Sequence, residues 1–319
     1  MVGQVTHTLR VVFFGTPSFA VPSLEALIAS RHAVVGVVSQ PDKPKGRGQQ
    51  LQPTPTKVVA DAHGIPVVQP LKIRDAAFLG RIRAFAPDLG VVVAFGRILP
   101  DPLIAIPRLG MINVHASILP KYRGAAPIQR AVLAGERETG VTIMRIATEL
   151  DAGATFAVKA VPIPPDATSG DMEAVLAQQG AGLLIPVVDD LAAGRAVETP
   201  QDHALATFAP KVTKEEGSID WTRPADVVHD QIRGMQPWPL ASTIIRGTRC
   251  VIRRSAIAPP GVQGQDGAVL RAGGDELIVA CGNGTALRIL EIQPEGRRTM
   301  SAREFLAGRA LAEGERLGS

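Results

Sequence analysis

Four runs in the first part of the chain, at residues 10–14, 33–38, 89–94 and 111–115, are apolar at nearly every position instead of alternating with polar residues. Strands covered on both faces read this way, so the runs predict a buried and mostly parallel sheet. Between them, residues 17–29, 53–62, 73–85 and 126–134 have the length and composition of helices. The first of these opens with Thr16 at the N-cap and Pro17 at the first helical position. Strand and helix in alternation predict an α/β fold, a Rossmann-like doubly wound sheet that binds ligands at the carboxyl ends of its strands. A further apolar run, "GVTIMRI", adds a strand and leads to Asp151 in a glycine-bounded turn.

The period is lost between residues 194 and 210, which read as a linker. From residue 214 one helix is expected at 224–234, then short strands at 242–245, 249–253, 267–271, 276–280 and 286–290, separated by "PPGVQGQDG", "AGGD" and "CGNG". Short strands with glycine turns predict a smaller OB-like β-barrel domain. The expected division is residues 1–196 for the catalytic domain, 197–213 for the linker and 214–319 for the barrel.

Length agrees with two domains, since 319 residues exceed the usual domain of about 100–150. Apolar residues make up 45% and aromatic residues only 4%, so the cores must be built from Val, Ile, Leu and Ala. The net charge of +4 is too mild to argue for a nucleic-acid partner by itself. Cys250 and Cys281 are the only cysteines and form no CxxC pair, which suggests neither a disulfide framework nor a thiolate zinc site and fits a reducing cytosol. The first ten residues lack a basic start followed by an apolar stretch, and residues 174–188 are interrupted by Gln178, Gln179, two glycines and Pro186. A soluble, cytoplasmic protein is expected.

Candidate chemistry gathers in "GMINVHASILPKYRGAAPIQ", residues 110–129. Asn113 and His115 are two apart on a strand, so they project from one face where the chain leaves the sheet. The "SILP" turn follows, with Ser117 and backbone groups able to face a flat polar heterocycle and Ile118 and Leu119 as apolar walls. The glycine and small residues of "KYRGAAP" allow another molecule to approach the backbone. Asp151 is placed to reach back to the imidazole and fix its tautomer. The plain alternatives are two satisfied polar groups at a strand end and an Asp that only forms a turn. No Ser or Cys nucleophile stands at the strand end, so the trio suits direct acyl transfer: the Asn amide and the imidazole bind a developing oxyanion, and the imidazole shuttles a proton.

The stretch "NVHASILPKYRGAAPIQRAVLAGERETGVTIMRIATELDAG" resembles the signature of the folate-dependent formyltransferases, an Asn-x-His pair, a Ser-Leu-Leu-Pro turn and a downstream Asp, with Ile118 in place of the commoner Leu. The resemblance runs from residue 10 to 308. It implies Asn113, His115 and Asp151 as the catalytic trio, 10-formyltetrahydrofolate as the donor cosubstrate, and no metal. It also implies a folate site lined by Ser117, Ile118, Leu119 and Pro120 and by the backbone at Arg97, Ile98 and Leu99.

Three segments are similar to the branch of the family that acts on methionyl initiator tRNA. "FFGTPSFAVPSLEAL" carries Gly-Thr-Pro after the first strand; its single glycine is not a dinucleotide fingerprint. Residues 39–60 hold Lys43, Lys45 and Arg47 against the one acid Asp42, and the resemblance makes them the loop that grips the tRNA acceptor end, although composition alone would give a solvated flexible loop. In the C-terminal part Arg246, Arg249, Arg253 and Arg254 stand with no acid between residues 244 and 255, which gives either an electrostatic track for tRNA or an ordinary basic surface. His7, His32, His63, His203 and His229 are scattered and expected to be surface or structural. The alternatives are a formyltransferase acting on an amino-sugar nucleotide and a non-catalytic RNA-binding relative. A monomer without membrane contact is expected.

Overall fold

In the computed structural model, which describes residues 8–45, 50–261 and 264–318, the apolar run at the start of the chain becomes the middle of a sheet. The strands of the first part are β1 (Arg10–Gly15), β2 (Ala33–Val38), β3 (Lys43–Lys45), β4 (Gln50–Gln52), β5 (Val67–Val68), β6 (Leu89–Val93), β7 (Met111–His115), β8 (Arg123–Gly124), β9 (Glu138–Arg145), β10 (Thr155–Pro162) and β11 (Phe208–Ala209). Seven of them form one sheet in the order β10-β9-β7-β6-β1-β2-β5. β1, β2, β5, β6 and β7 run parallel, while β9 is antiparallel to β7 and β10 to β9. The chain leaves β1 for β2 and returns to β6 on the other side of β1, so the strand order reverses at β1/β6, where a doubly wound sheet opens a crevice.

The helices are α1 (Val21–Ala29), α2 (Pro55–Ala62), α3 (Ala76–Ala84), α4 (Asp101–Ile104), α5 (Pro127–Leu133), α6 (Ser169–Ala192), α7 (Ala225–Gly234) and α8 (Ala302–Gly308). One sheet face is buried by Val12, Phe14, Val38, Val92 and Met111 against Phe78, Ile82 and Leu103. Phe14 and Phe95 meet edge to face, centroids 5.6 Å apart, the arrangement that aromatic quadrupoles favour. Thr16 does not cap the first helix: a single 3-10 turn at Ser18–Ala20 intervenes, α1 starts at Val21, and the Thr16 hydroxyl accepts instead from the Gln40 backbone N–H at 3.1 Å. Thr54 and Asp75 cap α2 and α3 through their side chains.

The chain divides into two units, one made of Met1–Pro127, Glu138–Pro162 and Glu173–Ala209, the other of Ile128–Arg137, Ile163–Met172 and Pro210–Ser319. The expected boundary at residue 196 therefore moves to 209, because Thr199 exchanges two backbone hydrogen bonds with Thr155 and β11 pairs with β8. The supposed linker is mostly part of the first unit. In the second unit β12 (Ser242–Ile245), β13 (Thr248–Ile257), β14 (Val269–Gly273), β15 (Glu276–Cys281), β16 (Thr285–Pro294) and β17 (Met300–Ser301) form an antiparallel sheet in the order β12-β13-β16-β15-β14, with β17 beside β16. This is the small OB-like domain. Cys250 and Cys281 are buried and unpaired with each other. Among the described residues no helix is long and apolar enough to cross a membrane.

Candidate active site

β7 carries Asn113 and His115 on one face, with Asn113 opposite Val92 of β6 and Met144 of β9. His115 is buried, 5% exposed, and its Nε2 lies 3.0 Å from the carbonyl oxygen of Tyr122. A carbonyl only accepts, so Nε2 carries the hydrogen. In the neutral ring Nδ1 is then a lone pair, and it faces Asp151 Oδ2 at 3.6 Å. The tautomer is set by the Tyr122 carbonyl rather than by the carboxylate, contrary to the expectation for Asp151.

Asp151 sits in the turn after β9 with φ +50°, a left-handed conformation that costs a non-glycine residue roughly 1–2 kcal/mol. Its Oδ2 accepts from the Gly124 backbone N–H at 2.8 Å. Gly124 has φ +125°, and a Cβ there would meet the Ala209 carbonyl oxygen at 2.8 Å. The small residue makes room for the approach of β11. The Asn113 amide, on a half-buried residue, has no hydrogen-bond partner among the described residues.

The "SILP" turn is more inward than expected. Ser117 is fully buried, its hydroxyl donates to the Lys121 carbonyl at 2.7 Å, and its own carbonyl accepts from Thr142 Oγ1 at 2.7 Å. Leu119 is buried too, while Ile118 and Pro120 are partly exposed and remain available as walls.

Residues 97–99 follow β6 at the strand-order reversal. Leu99 is buried and Ile98 is 77% exposed. Arg97 is committed to its neighbours, donating through Nε to Gln40 Oε1 at 2.9 Å and through Nη1 to the Leu71 carbonyl at 2.9 Å.

The basic loop stands on an ordered stem, since β3 and β4 pair Lys43 with Gln52 and Lys45 with Gln50. Lys43 is exposed; Arg47 lies outside the described residues. Asp42, the loop's one acid, pairs with Lys57 at 2.9 Å. A hydrogen bond from Gln69 holds its carboxyl below the usual range against the opposing effect of burial, and Lys57 lowers it further. In the second unit Arg246 is clamped by both oxygens of Glu315 at 2.7 Å, Arg254 faces Glu291 at 3.4 Å, and Arg249 Nε donates to Ser242 Oγ. Acids distant in sequence thus answer two of the four arginines.

Sequence reasoning missed the Tyr122 carbonyl, the Gly124 N–H and Gln40, whose roles run through backbone groups or a side-chain amide that carries no sequence signature. No group of three or more His, Cys, Asp or Glu able to hold a metal occurs among the described residues.

Residues 9–188 match the family described as Formyl transferase, and residues 211–310 match Formyl transferase, C-terminal domain. A methionyl-tRNA formyltransferase of Moorella thermoacetica is 47% identical over 310 residues, covering 97% of this chain and 99% of its own. Among solved structures, the sugar 3N-formyl transferase WlaRD, crystallised in the presence of dTDP and 5-N-formyl-THF, has a TM-score of 0.66 at 19% identity and covers 92% of this chain and 100% of its own. HypX from Aquifex aeolicus, in complex with tetrahydrofolic acid, has a TM-score of 0.63 at 16% identity over 96% of this chain, which spans only 49% of that one. At such identities the likeness is one of fold.

Proposed function

This chain belongs to the formyl transferase family, and from that premise we propose that it transfers the formyl group of 10-formyltetrahydrofolate to the α-amino group of methionine esterified to initiator tRNA. The observation that carries the reading is the His115–Asp151 pair, Nδ1 to Oδ2 at 3.6 Å, on the strand that also presents the unpartnered Asn113 amide. An amide donor without a partner among the described residues is what a bound carbonyl requires.

The donor supplies an electrophilic formyl carbon, and the methionine amine is the nucleophile. An ester beside that amine lowers its pKa below the free α-amino value of about 7.7–8.0, so neutral amine is present near pH 7. The C–N bond to methionine forms, the bond from the formyl carbon to the folate nitrogen breaks, and one proton leaves the amine while one arrives on the folate nitrogen. Asn113 donates to the formyl oxygen as it gains charge. Because Nε2–H is committed to Tyr122, His115 has only Nδ1 for the reaction, and Nδ1 takes the amine's proton. Asp151 stabilises the imidazolium that results and is itself held by Gly124. Ile98, Ile118 and Pro120 are assigned to the folate walls, which their exposure supports. Lys43, Lys45 and Arg47 are assigned to the tRNA acceptor end, and Arg246, Arg249, Arg253 and Arg254 to a second, weaker contact.

The test is the purified chain with 10-formyltetrahydrofolate and methionyl initiator tRNA. Formylmethionyl-tRNA is the expected product; formylation of an amino-sugar nucleotide instead, or RNA binding with no turnover, overturns the reading.

A further inference from the structure

We infer that Arg123 and Gln201 act together as positioning residues that hold Asp151 in its reacting orientation. The inference deepens the proposed function and rests on the role given there to Asp151. Arg123 heads the fully buried side chains by volume, at 2% exposure. A guanidinium has donors and no acceptor, and a buried one demands oxygen partners. Arg123 Nε and Nη2 both reach Gln201 Oε1, at 3.2 and 2.7 Å, and Nη1 faces Glu149 Oε1 at 3.5 Å.

This fork leaves the Gln201 amide one orientation, since turning it over would set NH2 against the guanidinium. The amide nitrogen is thereby aimed at two backbone carbonyls, those of Asp151 at 2.9 Å and Gly153 at 2.8 Å. Those carbonyls bracket the turn in which Asp151 holds φ +50° and in which any Cβ on Gly153 would lie 2.0 Å from the Arg145 carbonyl oxygen. The other end of Asp151 is fixed by the residue next to Arg123, for the Gly124 N–H binds Oδ2. The Arg123 backbone N–H in turn binds the Thr207 carbonyl at 2.8 Å. The side chain of residue 123 thus sets the backbone of Asp151 through Gln201, and the backbone of residue 124 sets its carboxylate. A left-handed aspartate stays in that conformation only where its surroundings over-determine it, and this closed circuit does so.

Gln201→Glu is the discriminating substitution. A glutamate keeps the volume and answers Arg123, but it has no N–H for the two carbonyls. The expected result is a fall in kcat of roughly ten- to a hundredfold, as small misplacements of a reacting group produce, with KM for folate and for charged tRNA little changed. In the Asp151→Asn background the same substitution should add almost nothing, because its effect passes through the missing carboxylate. Losses that multiply in the double variant, or a loss that falls on KM, overturn the inference and leave the proposed chemistry standing. Full turnover by Asp151→Asn alone removes the role of Asp151 and the inference with it. If Gln201→Glu does not fold, Arg123→Lys carries the same comparison, since one ammonium meets the amide oxygen without forking it.

Discussion

Arg97 donates through Nε to Gln40 Oε1 at 2.9 Å, and the Gln40 amide nitrogen donates to the Phe95 carbonyl at 3.0 Å, so the segment after β2 is fastened to the segment after β6 at two points. The first segment leads into the basic hairpin and the second is assigned to the folate. Gln69 reinforces the joint from β5 by donating to the Gln40 carbonyl at 2.9 Å and to Asp42 Oδ1 at 2.7 Å. Gln40→Ala frees Arg97 while leaving β7 untouched. KM for folate should rise roughly threefold to tenfold, the worth of one or two net hydrogen bonds, and KM for tRNA should rise with it. A change confined to kcat would show that the joint does not serve binding.

Among the described residues the Asn113 amide has no partner, so its removal orphans no group among them. Asn113→Ala should therefore fold normally and lower kcat about a hundredfold or more, the usual consequence of losing an oxyanion donor, with little change in tRNA affinity. Steady-state kinetics beside a direct tRNA binding measurement checks both halves of this expectation.

The residues that perform the chemistry were legible because their spacing is a property of strands: Asn113 and His115 share a face by alternation, and Asp151 follows an apolar run. What holds them was not legible. Tyr122 and Gly124 act through backbone atoms, whose direction depends on left-handed φ values of 60° and 125°. Gln201 lies 50 residues from Asp151 in a stretch without period, so local pattern reads it as linker. The helix α6 was missed for a related reason. Met172, Leu176, Leu184 and Val188 are buried along it, but Gln178 and Gln179 interrupt the apolar pattern and Pro186 stands inside the helix, where only packing makes up for its poor local preference. In the second unit the basic run of residues 246–254 looked free of acids because Glu291 and Glu315 approach from elsewhere in the chain.

That last point separates the cationic groups by expected effect. Arg246 is held by Glu315, which quenches much of its field, whereas the loop at residues 43–47 contains no acid. Arg47→Ala should weaken use of tRNA more than Arg246→Ala does. It should also flatten the dependence of tRNA binding on salt by about one unit of the logarithmic slope, the signature of a lost phosphate contact. Equal effects of the two substitutions would contradict the assignment of the loop.

The capping box of α8 predicts a pH-dependent term in stability. Ser301 accepts from the Glu304 N–H at 3.2 Å, Glu304 Oε2 accepts from the Ser301 N–H at 2.9 Å, and Arg298 Nη2 lies 2.6 Å from Oε1. The Ser301 backbone N–H foremost, then Arg298, draws the Glu304 carboxyl down from 4.5 to about 2. A carboxylate depressed on folding stabilises the protein fully above its unfolded value, and the contribution is lost as pH falls through the folded value. Glu304→Ala should thus melt roughly one to a few degrees lower than the parent chain near neutral pH. The gap should stay constant down to about pH 5 and narrow between about pH 4.5 and 2. Thermal melts of the two proteins across that range provide the check, and a gap that persists undiminished at the acid end would mean that the box stabilises α8 without its charge.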